Sequence, residues 1–195
     1  MSRHNQSLDA AYFEGMFQGD EDPWDLETSA YEAAKFDATI AALDGRPYTR
    51  VFEIGCAGGM LTQKLAPAAA DLLAVDISAT ALARARRKCA GLPHVRFAEM
   101  AFPAETPDEP PFDLIVLSEV AYYWDDADLA LAATRLQRLL APGGDLLLVH
   151  FTGETDYPKS GDDAVRGLAQ VMEDQVEVVR AETHARYRLD LWRRR

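Results

Sequence analysis

The sequence predicts an α/β protein built on a doubly wound, mostly parallel sheet of seven strands, with an antiparallel pair at its C-terminal edge. Three observations predict it. Short apolar runs alternate with stretches of helical spacing along 195 residues, the pattern of repeated βα units. The run Phe112-Asp113-Leu114-Ile115-Val116-Leu117-Ser118 is almost continuously apolar, as a strand buried on both faces must be. The runs Val176-Glu177-Val178-Val179 and Tyr187-Arg188-Leu189-Asp190-Leu191-Trp192 instead alternate partially, which suits an antiparallel pair at an edge. With 48% apolar residues and no Ser/Gly linker or charge block, residues 1–195 are expected to form a single domain around one core.

The elements follow in order. Thr28 or Ser29 can cap a helix running to about Leu43, with Tyr31, Ala34, Phe36, Ile40 and Leu43 near helical spacing and Gly45 as its stop. Strand one is followed by a short helix, Met60 to Ala66, which Pro67 ends. Strand two ends at Asp76, and Ser78 caps a helix to about Ala90. Strand three covers about Val95 to Glu99, after which Pro103, Pro107, Pro110 and Pro111 mark an extended loop. Beyond the buried fourth strand, Asp125 or Asp126 starts a helix to about Leu140. Pro142-Gly143-Gly144 turns the chain, Leu146 to Val149 form strand five, and a last helix covers about Asp162 to Met172.

The first strand carries the most informative feature. Val51-Phe52-Glu53-Ile54 opens onto the turn Gly55-Cys56-Ala57-Gly58-Gly59, and the next apolar run, Leu72-Leu73-Ala74-Val75, ends in Asp76. Glycines let the backbone turn sharply and approach a ligand, while an acid at the tip of the second strand can accept hydrogen bonds from ribose hydroxyls. Together they point to an adenosine-bearing cofactor. A dinucleotide fingerprint spaces its glycines first, third and sixth to seat a pyrophosphate and needs no acid in the preceding strand. Here the spacing is Glu-x-Gly-x-x-Gly-Gly. A carboxylate before the turn would repel pyrophosphate and suit a ligand carrying an ammonium and a sulfonium, such as S-adenosylmethionine. A nicotinamide-dependent oxidoreductase remains the rival only if Glu53 is incidental.

Composition excludes several classes. A net charge of −12 argues against nucleic acid as a partner, because phosphate binding needs a basic surface. The basic clusters Arg84-Ala85-Arg86-Arg87-Lys88 and Arg193-Arg194-Arg195 read as a solvated helix face and a frayed end. Met1 to Ser7 lack an apolar leader core, and no apolar stretch is long enough to span a bilayer. A soluble, cytoplasmic protein with no membrane partner is expected, as a monomer or homodimer. Cys56 and Cys89, the two cysteines, form neither a disulfide framework nor a metal pattern. His4, His94, His150 and His184 are scattered, so no metal is expected. The glycine turn carries Cys56 at its tip rather than serine, which argues against hydrolase chemistry.

These βα units, the Glu-x-Gly turn, the acid after strand two and the turn Leu140-Ala141-Pro142-Gly143-Gly144 together resemble the class I, Rossmann-like S-adenosylmethionine-dependent methyltransferases. More closely, five segments are similar to the nodulation protein S family, whose members N-methylate the free amine of a deacetylated chitooligosaccharide. They are Asp22-Pro23-Trp24, Tyr31-Glu32-x-x-Lys35, Glu53-Ile54-Gly55-Cys56-Ala57-Gly58, Lys64-Leu65-Ala66-Pro67 and Ser118-Glu119-Val120-x-Tyr122-Tyr123. The resemblance implies that the turn from Gly55 through Cys56 and Ala57 to Gly58 lies beside the methionine part of the cofactor. Glu53 would then reach its ammonium, Asp76 would hold the ribose, and Ser118, at the end of strand four, would join the cofactor-binding residues. It further implies that residues 1–45 form an N-terminal helical cap, with Trp24 over the cofactor and Lys35 paired with its carboxylate. Ala101 stands where such proteins usually carry an acid for the adenine amino group. The backbone of Ala101 and Phe102 would then read the adenine edge, with Ile77 and Met100 against its faces.

Methyl transfer from a sulfonium is an in-line displacement, so the protein must align a nucleophile and exclude water. An amine must be neutral to attack, which calls for a base near the ends of strands four and five. Glu119, Tyr122, Tyr123 and His150 are the candidates. Tyr122-Tyr123-Trp124 also offer flat walls with polar tips for a sugar or aromatic acceptor. The expected function is methylation of a small molecule, with an amino sugar or other amine leading and O-methylation of a phenol as the alternative. A protein that binds the cofactor without catalysis is the rival from another class, motivated by Ala101.

Overall fold

The computed structural model describes residues 3–195. Two compact units are distinguished, one of residues 9–100 and one of residues 101–195 with the N-terminal segment through Leu8. The first contains α1 (Ala10–Gly19), α2 (Ala30–Ala41), β1 (Tyr48–Ile54), α3 (Met60–Leu65), β2 (Ala69–Asp76), α4 (Ala79–Lys88) and β3 (Val95–Glu99). Its strands lie in the order β3-β2-β1 and pair in parallel, Glu53 opposite Ala74 and Asp76 opposite Glu99. The apolar runs read from the sequence are its interior: Val51, Phe52, Leu72, Ala74 and Val75 are at most 1% exposed.

Local chemistry sets the helix starts. Ser29, not Thr28, caps α2 by accepting the Glu32 N–H, and Ser78 caps α4 by accepting that of Ala81. Helix α3 stops at Leu65, and Pro67 sits in the 3-10 turn that follows. The buried stripe of α2 differs from the expected one. Glu32, Lys35, Phe36 and Thr39 face inward while Ala34 is exposed, so two charged residues take part in the packed face.

Helix α1 was not expected from the sequence. Asp9 caps it by accepting the Tyr12 N–H at 2.9 Å, and Phe13 and Phe17, one turn apart, are its buried residues. Arg84 donates to the carbonyls of Phe17, Asp20 and Glu21 at the end of α1. One member of the basic run on α4 is therefore a structural tie rather than part of a solvated face.

The second unit contains β4 (Phe112–Ser118), α5 (Asp126–Leu139), β5 (Leu140–Phe151), α6 (Gly161–Met172), β6 (Val176–Thr183) and β7 (Tyr187–Arg194). Its strands lie in the order β4-β5-β7-β6. β4 and β5 are parallel, and β7 is antiparallel to both β5 and β6, the edge pair the alternation foretold. Strand β5 starts earlier than expected. Its pairing with β4 jumps from Leu140 to Asp145, so Pro142-Gly143-Gly144 form a bulge inside the strand rather than a turn before it.

The C-terminal arginines are not a frayed end. Arg193 and Arg194 belong to β7, and Arg193 pairs with the fully buried Asp145 directly opposite it at 2.7 Å. Sequence alone hides this, because the pairing depends on a register between positions 48 residues apart. Asp125 caps α5 by accepting the N–H groups of Ala127 and Asp128, and Ser160 caps α6. Leu129 and Leu136 of α5 and Leu168 of α6 are buried, each worth roughly 1.5–3 kcal/mol on removal from water.

Candidate active site

In the first unit the glycine turn is shaped by three residues in the left-handed region: Gly55 (φ 77°), Ala57 (φ 47°) and Gly59 (φ 84°). Ala57, an L-residue, takes a conformation suited to glycine, whereas Gly58 does not. The turn is clasped to β2, since Gly55 and Cys56 both donate to the Val75 carbonyl, at 2.8 and 2.9 Å. Gly59 lets α3 approach α4, because a Cβ there would lie 3.0 Å from the Cα and Cβ of Ala85. Burial pushes the Cys56 thiol well above its usual range, with the acids Asp76 and Glu53 adding to the effect. Cys56 therefore stays a neutral, packed side chain.

Glu53 and Asp76 are both buried, at 2% and 7% exposure. Thr62, one turn into α3, donates its hydroxyl to Glu53 Oε2 at 2.6 Å. Burial outweighs that bond, and the charge of Asp76 works in the same direction, so the Glu53 carboxyl is pushed up to about 8. Among the described residues Glu53 has no cationic partner. Asp76 accepts the Ala57 N–H at 2.8 Å and the Ser78 N–H at 2.9 Å, one on each oxygen. Burial still raises its pKa, against the pull of those backbone donors. Asp76 thus holds the glycine turn and the α4 N-terminus in fixed relation, before any ribose is considered.

The flanking residues take varied places. Ile77 and Met100 are half-buried, and the Met100 N–H donates to the Asp76 carbonyl at 3.0 Å. Trp24 is half-buried and packs edge-on against Phe17, with ring centres 5.4 Å apart. Its loop is wound around Asp22, whose carboxylate accepts the N–H groups of Leu26 and Glu27. Lys35 is 3% exposed and pairs with Glu32 at 2.8 Å, so its ammonium already has a carboxylate.

Sequence reasoning missed Glu14, which accepts hydrogen bonds from the hydroxyls of Ser78 and Thr80 and the Thr80 N–H. These donors, Ser78 first, hold its carboxyl down to about 2. The only signal available was Asp9 capping a short stretch with Phe13 and Phe17 in phase. The 64 residues separating Glu14 from Ser78 hide the contact itself.

In the second unit Ser118 ends β4, and Glu119 follows it with φ 61°, a left-handed conformation uncommon for glutamate. Its N–H donates to the Val149 carbonyl at 2.8 Å, and its Oε2 accepts the Tyr122 hydroxyl at 2.6 Å and the Phe151 N–H at 2.9 Å. The carboxylate is thereby aimed by β5 and by the turn after β4. Burial, then neighbouring Tyr123 and Glu119, push the Tyr122 phenol well above its ordinary range, and burial does the same to Tyr123. Both phenols stay protonated near neutrality and serve as donors, not bases. His150 is fully buried, and its Nε2 accepts the Ala121 N–H at 3.2 Å. A neutral ring so used carries its proton on Nδ1 and positions the turn that holds Tyr122.

Ala101 is half-buried and Phe102 buried. The Ala101 N–H donates to the Glu105 carboxylate at 2.8 Å, and Phe102 packs against Trp124 at 5.7 Å. The backbone donor expected to read an adenine edge therefore has a carboxylate upon it.

A family model described as Nodulation protein S (NodS) matches residues 17–157. The chain belongs to the NodS family. A Nodulation protein S of Sinorhizobium fredii is 35% identical over 129 residues, which cover 65% of this chain and 59% of that protein. One of Rhizobium tropici is also 35% identical over 129 residues, covering 65% of this chain and 54% of its own. The chain thus spans a little over half the length of these curated NodS relatives. The crystal structure of N-methyltransferase NodS from Bradyrhizobium japonicum WM9 in complex with S-adenosyl-L-homocysteine superposes with a TM-score of 0.80 at 22% identity, over 96% of this chain and 99% of that one. The magnesium protoporphyrin IX methyltransferase of Synechocystis PCC 6803 with bound S-adenosylmethionine gives 0.73 at 18% identity, over 98% and 100%. At these identities the likeness concerns the fold, which is the seven-stranded, mostly parallel α/β fold of the class I methyltransferases with an antiparallel edge.

Proposed function

We propose that this NodS-family chain methylates a small-molecule acceptor with S-adenosylmethionine, and that the acceptor nitrogen is the free amine of an amino sugar. The observation that carries the reading is Glu53: a buried carboxyl before a tight turn, holding its proton to about pH 8 with no cation among the described residues to pair with. A ligand bringing an ammonium beside a sulfonium supplies the missing charge. NAD places a pyrophosphate at such a turn and brings no cation to Glu53.

In this reading the backbone of Gly55, Cys56, Ala57 and Gly58 lies along the methionine part, and the remaining acceptor capacity of Asp76 takes the ribose hydroxyls. Ile77, Met100, Ala101 and Phe102 surround the adenine, and Trp24 with residues 1–45 covers the cofactor. Lys35 shares its ammonium between Glu32 and the cofactor carboxylate, and residues 1–195 act as one methyltransferase domain. When bound, the cofactor supplies an electrophilic methyl on sulfur. Glu119, aimed by Tyr122 and Phe151, orients the acceptor amine and takes its proton as the nitrogen lone pair forms the new bond. His150 supports the turn. The protein acts in the cytoplasm as a monomer or homodimer, without nucleic acid or membrane, in keeping with its charge of −12.

The test is transfer of labelled methyl from S-adenosylmethionine to a chitooligosaccharide carrying a free terminal amine, with phenols in parallel. Glu119→Gln should lower kcat by about 100-fold or more and leave S-adenosylhomocysteine affinity within twofold. Labelling of phenols alone would replace the amine reading, and near-normal turnover of the variant would remove Glu119 as the base.

A further inference from the structure

Tyr157, on the stretch between β5 and α6, belongs to none of the candidate sets above, yet it completes the aromatic group beside Glu119. Its ring stacks on Tyr122 at 5.3 Å and 18° and meets Tyr123 edge-on at 4.7 Å. Tyr122 and Tyr123 are buried, at 5% and 8% exposure, whereas Tyr157 is half-buried.

Nor is it a ring on a free loop. Arg3 donates to the Tyr157 carbonyl at 3.0 Å, and the His4 N–H to the Asp156 carbonyl at 2.8 Å. Further along the same N-terminal segment, the Leu8 N–H donates to the Tyr123 carbonyl at 3.0 Å. From the other side the Lys159 N–H donates to the Tyr122 carbonyl at 3.1 Å. Gly153 and Gly161, at either end of the stretch, have no room for a Cβ because it would run into Phe151. Phe151 is also the residue whose N–H holds Glu119. The ring is thus fixed in space relative to the carboxylate, with its backbone tied on both sides.

A flat, amphipathic ring that is only partly buried, held by its backbone on both sides and stacked on the hydroxyl donor to an oriented carboxylate is built to meet a ligand with a flat apolar face. We propose that Tyr157 is an acceptor-binding residue, selecting acceptors that present the face of a sugar or aromatic ring to it while their nucleophile lies toward Glu119. The inference rests on the methyl-transfer reading and adds to it the residue that recognises the acceptor. Packing alone does not call for this arrangement, since a core aromatic would be buried with Tyr122.

The experiment measures binding of a glucosamine-terminated chitooligosaccharide by ligand-detected NMR in the presence of S-adenosylhomocysteine, and the KM for methyl transfer to it. Tyr157→Ala and Tyr157→Leu should raise both constants about fivefold to tenfold, with kcat and S-adenosylhomocysteine affinity within twofold of wild type. Tyr157→Phe, which keeps the flat ring, should stay near wild type. Leucine fills much of the volume without a flat face, so it separates stacking from mere cover if the alanine variant folds poorly. Wild-type constants in the leucine variant, or an oligosaccharide that does not bind the wild-type protein, would overturn the proposal. If instead the wild type fails to bind S-adenosylhomocysteine, the methyl-transfer reading itself falls.

Discussion

Glu53 is a buried side chain whose cost to the fold depends on pH. Its carboxyl retains its proton to about pH 8 against an ordinary value of 4.5, chiefly through burial. The unfolded chain therefore ionises first. The fold is favoured below about pH 4.5 and loses that contribution as pH rises through 8. Glu53→Gln keeps the shape and cannot ionise, so its stability relative to wild type should grow from pH 5 to pH 8, reaching on the order of 3 kcal/mol. Urea unfolding of both proteins across that range checks this, and a constant gap would refute it. Tight binding of a cationic ligand at Glu53 should also release a proton, visible as a binding enthalpy that varies with buffer. At this scale the sequence was legible where a residue's place follows from the local run, as with Glu53 buried near the end of β1, Gly55 at a positive φ and Asp76 ending β2. It was silent where partners come from distant segments. Lys35 already meets Glu32, Glu14 meets Ser78, and Ala57 rather than Gly58 takes the positive φ.

Among the elements, the turn between β1 and α3 is the most constrained. Gly59 combines φ 84° with the close approach of α3 to α4 at Ala85. Gly59→Ala should cost about 2 to 3 kcal/mol, the sum of a left-handed alanine and a displaced Ala85, and thermal unfolding would measure it. A loss under about 0.5 kcal/mol would mean that α3 and α4 are free to separate. Caps and breakers made most elements readable. Ser29, Ser78 and Asp125 start their helices where hydrogen-bonding side chains precede apolar spacing, and β3 and β4 match their runs residue for residue. Helix α1 escaped because Gly15 and a buried pair of only two phenylalanines dilute its periodicity. The ends of β5 and β7 escaped because strand length at an edge is set by the partner strand and not by local pattern.

For the molecule as a whole, the fold was readable because the βα units repeat the same alternation, each set by its own local run. The cluster of Glu119, Tyr122 and Tyr157 is assembled from β4, β5 and the stretches after them, which no single sequence window contains. Among the described residues no helix is long and apolar enough to cross a membrane, and no group of three or more histidine, cysteine or acidic side chains is placed to hold a metal ion. On the proposed reading, Glu53, the glycine turn and Asp76 hold S-adenosylmethionine. Calorimetric titration of the protein with S-adenosylmethionine, S-adenosylhomocysteine and NAD tests it most directly. Saturable one-site binding of the first two, with none of NAD, is the predicted result; binding of NAD alone, or of none of the three, would contradict it.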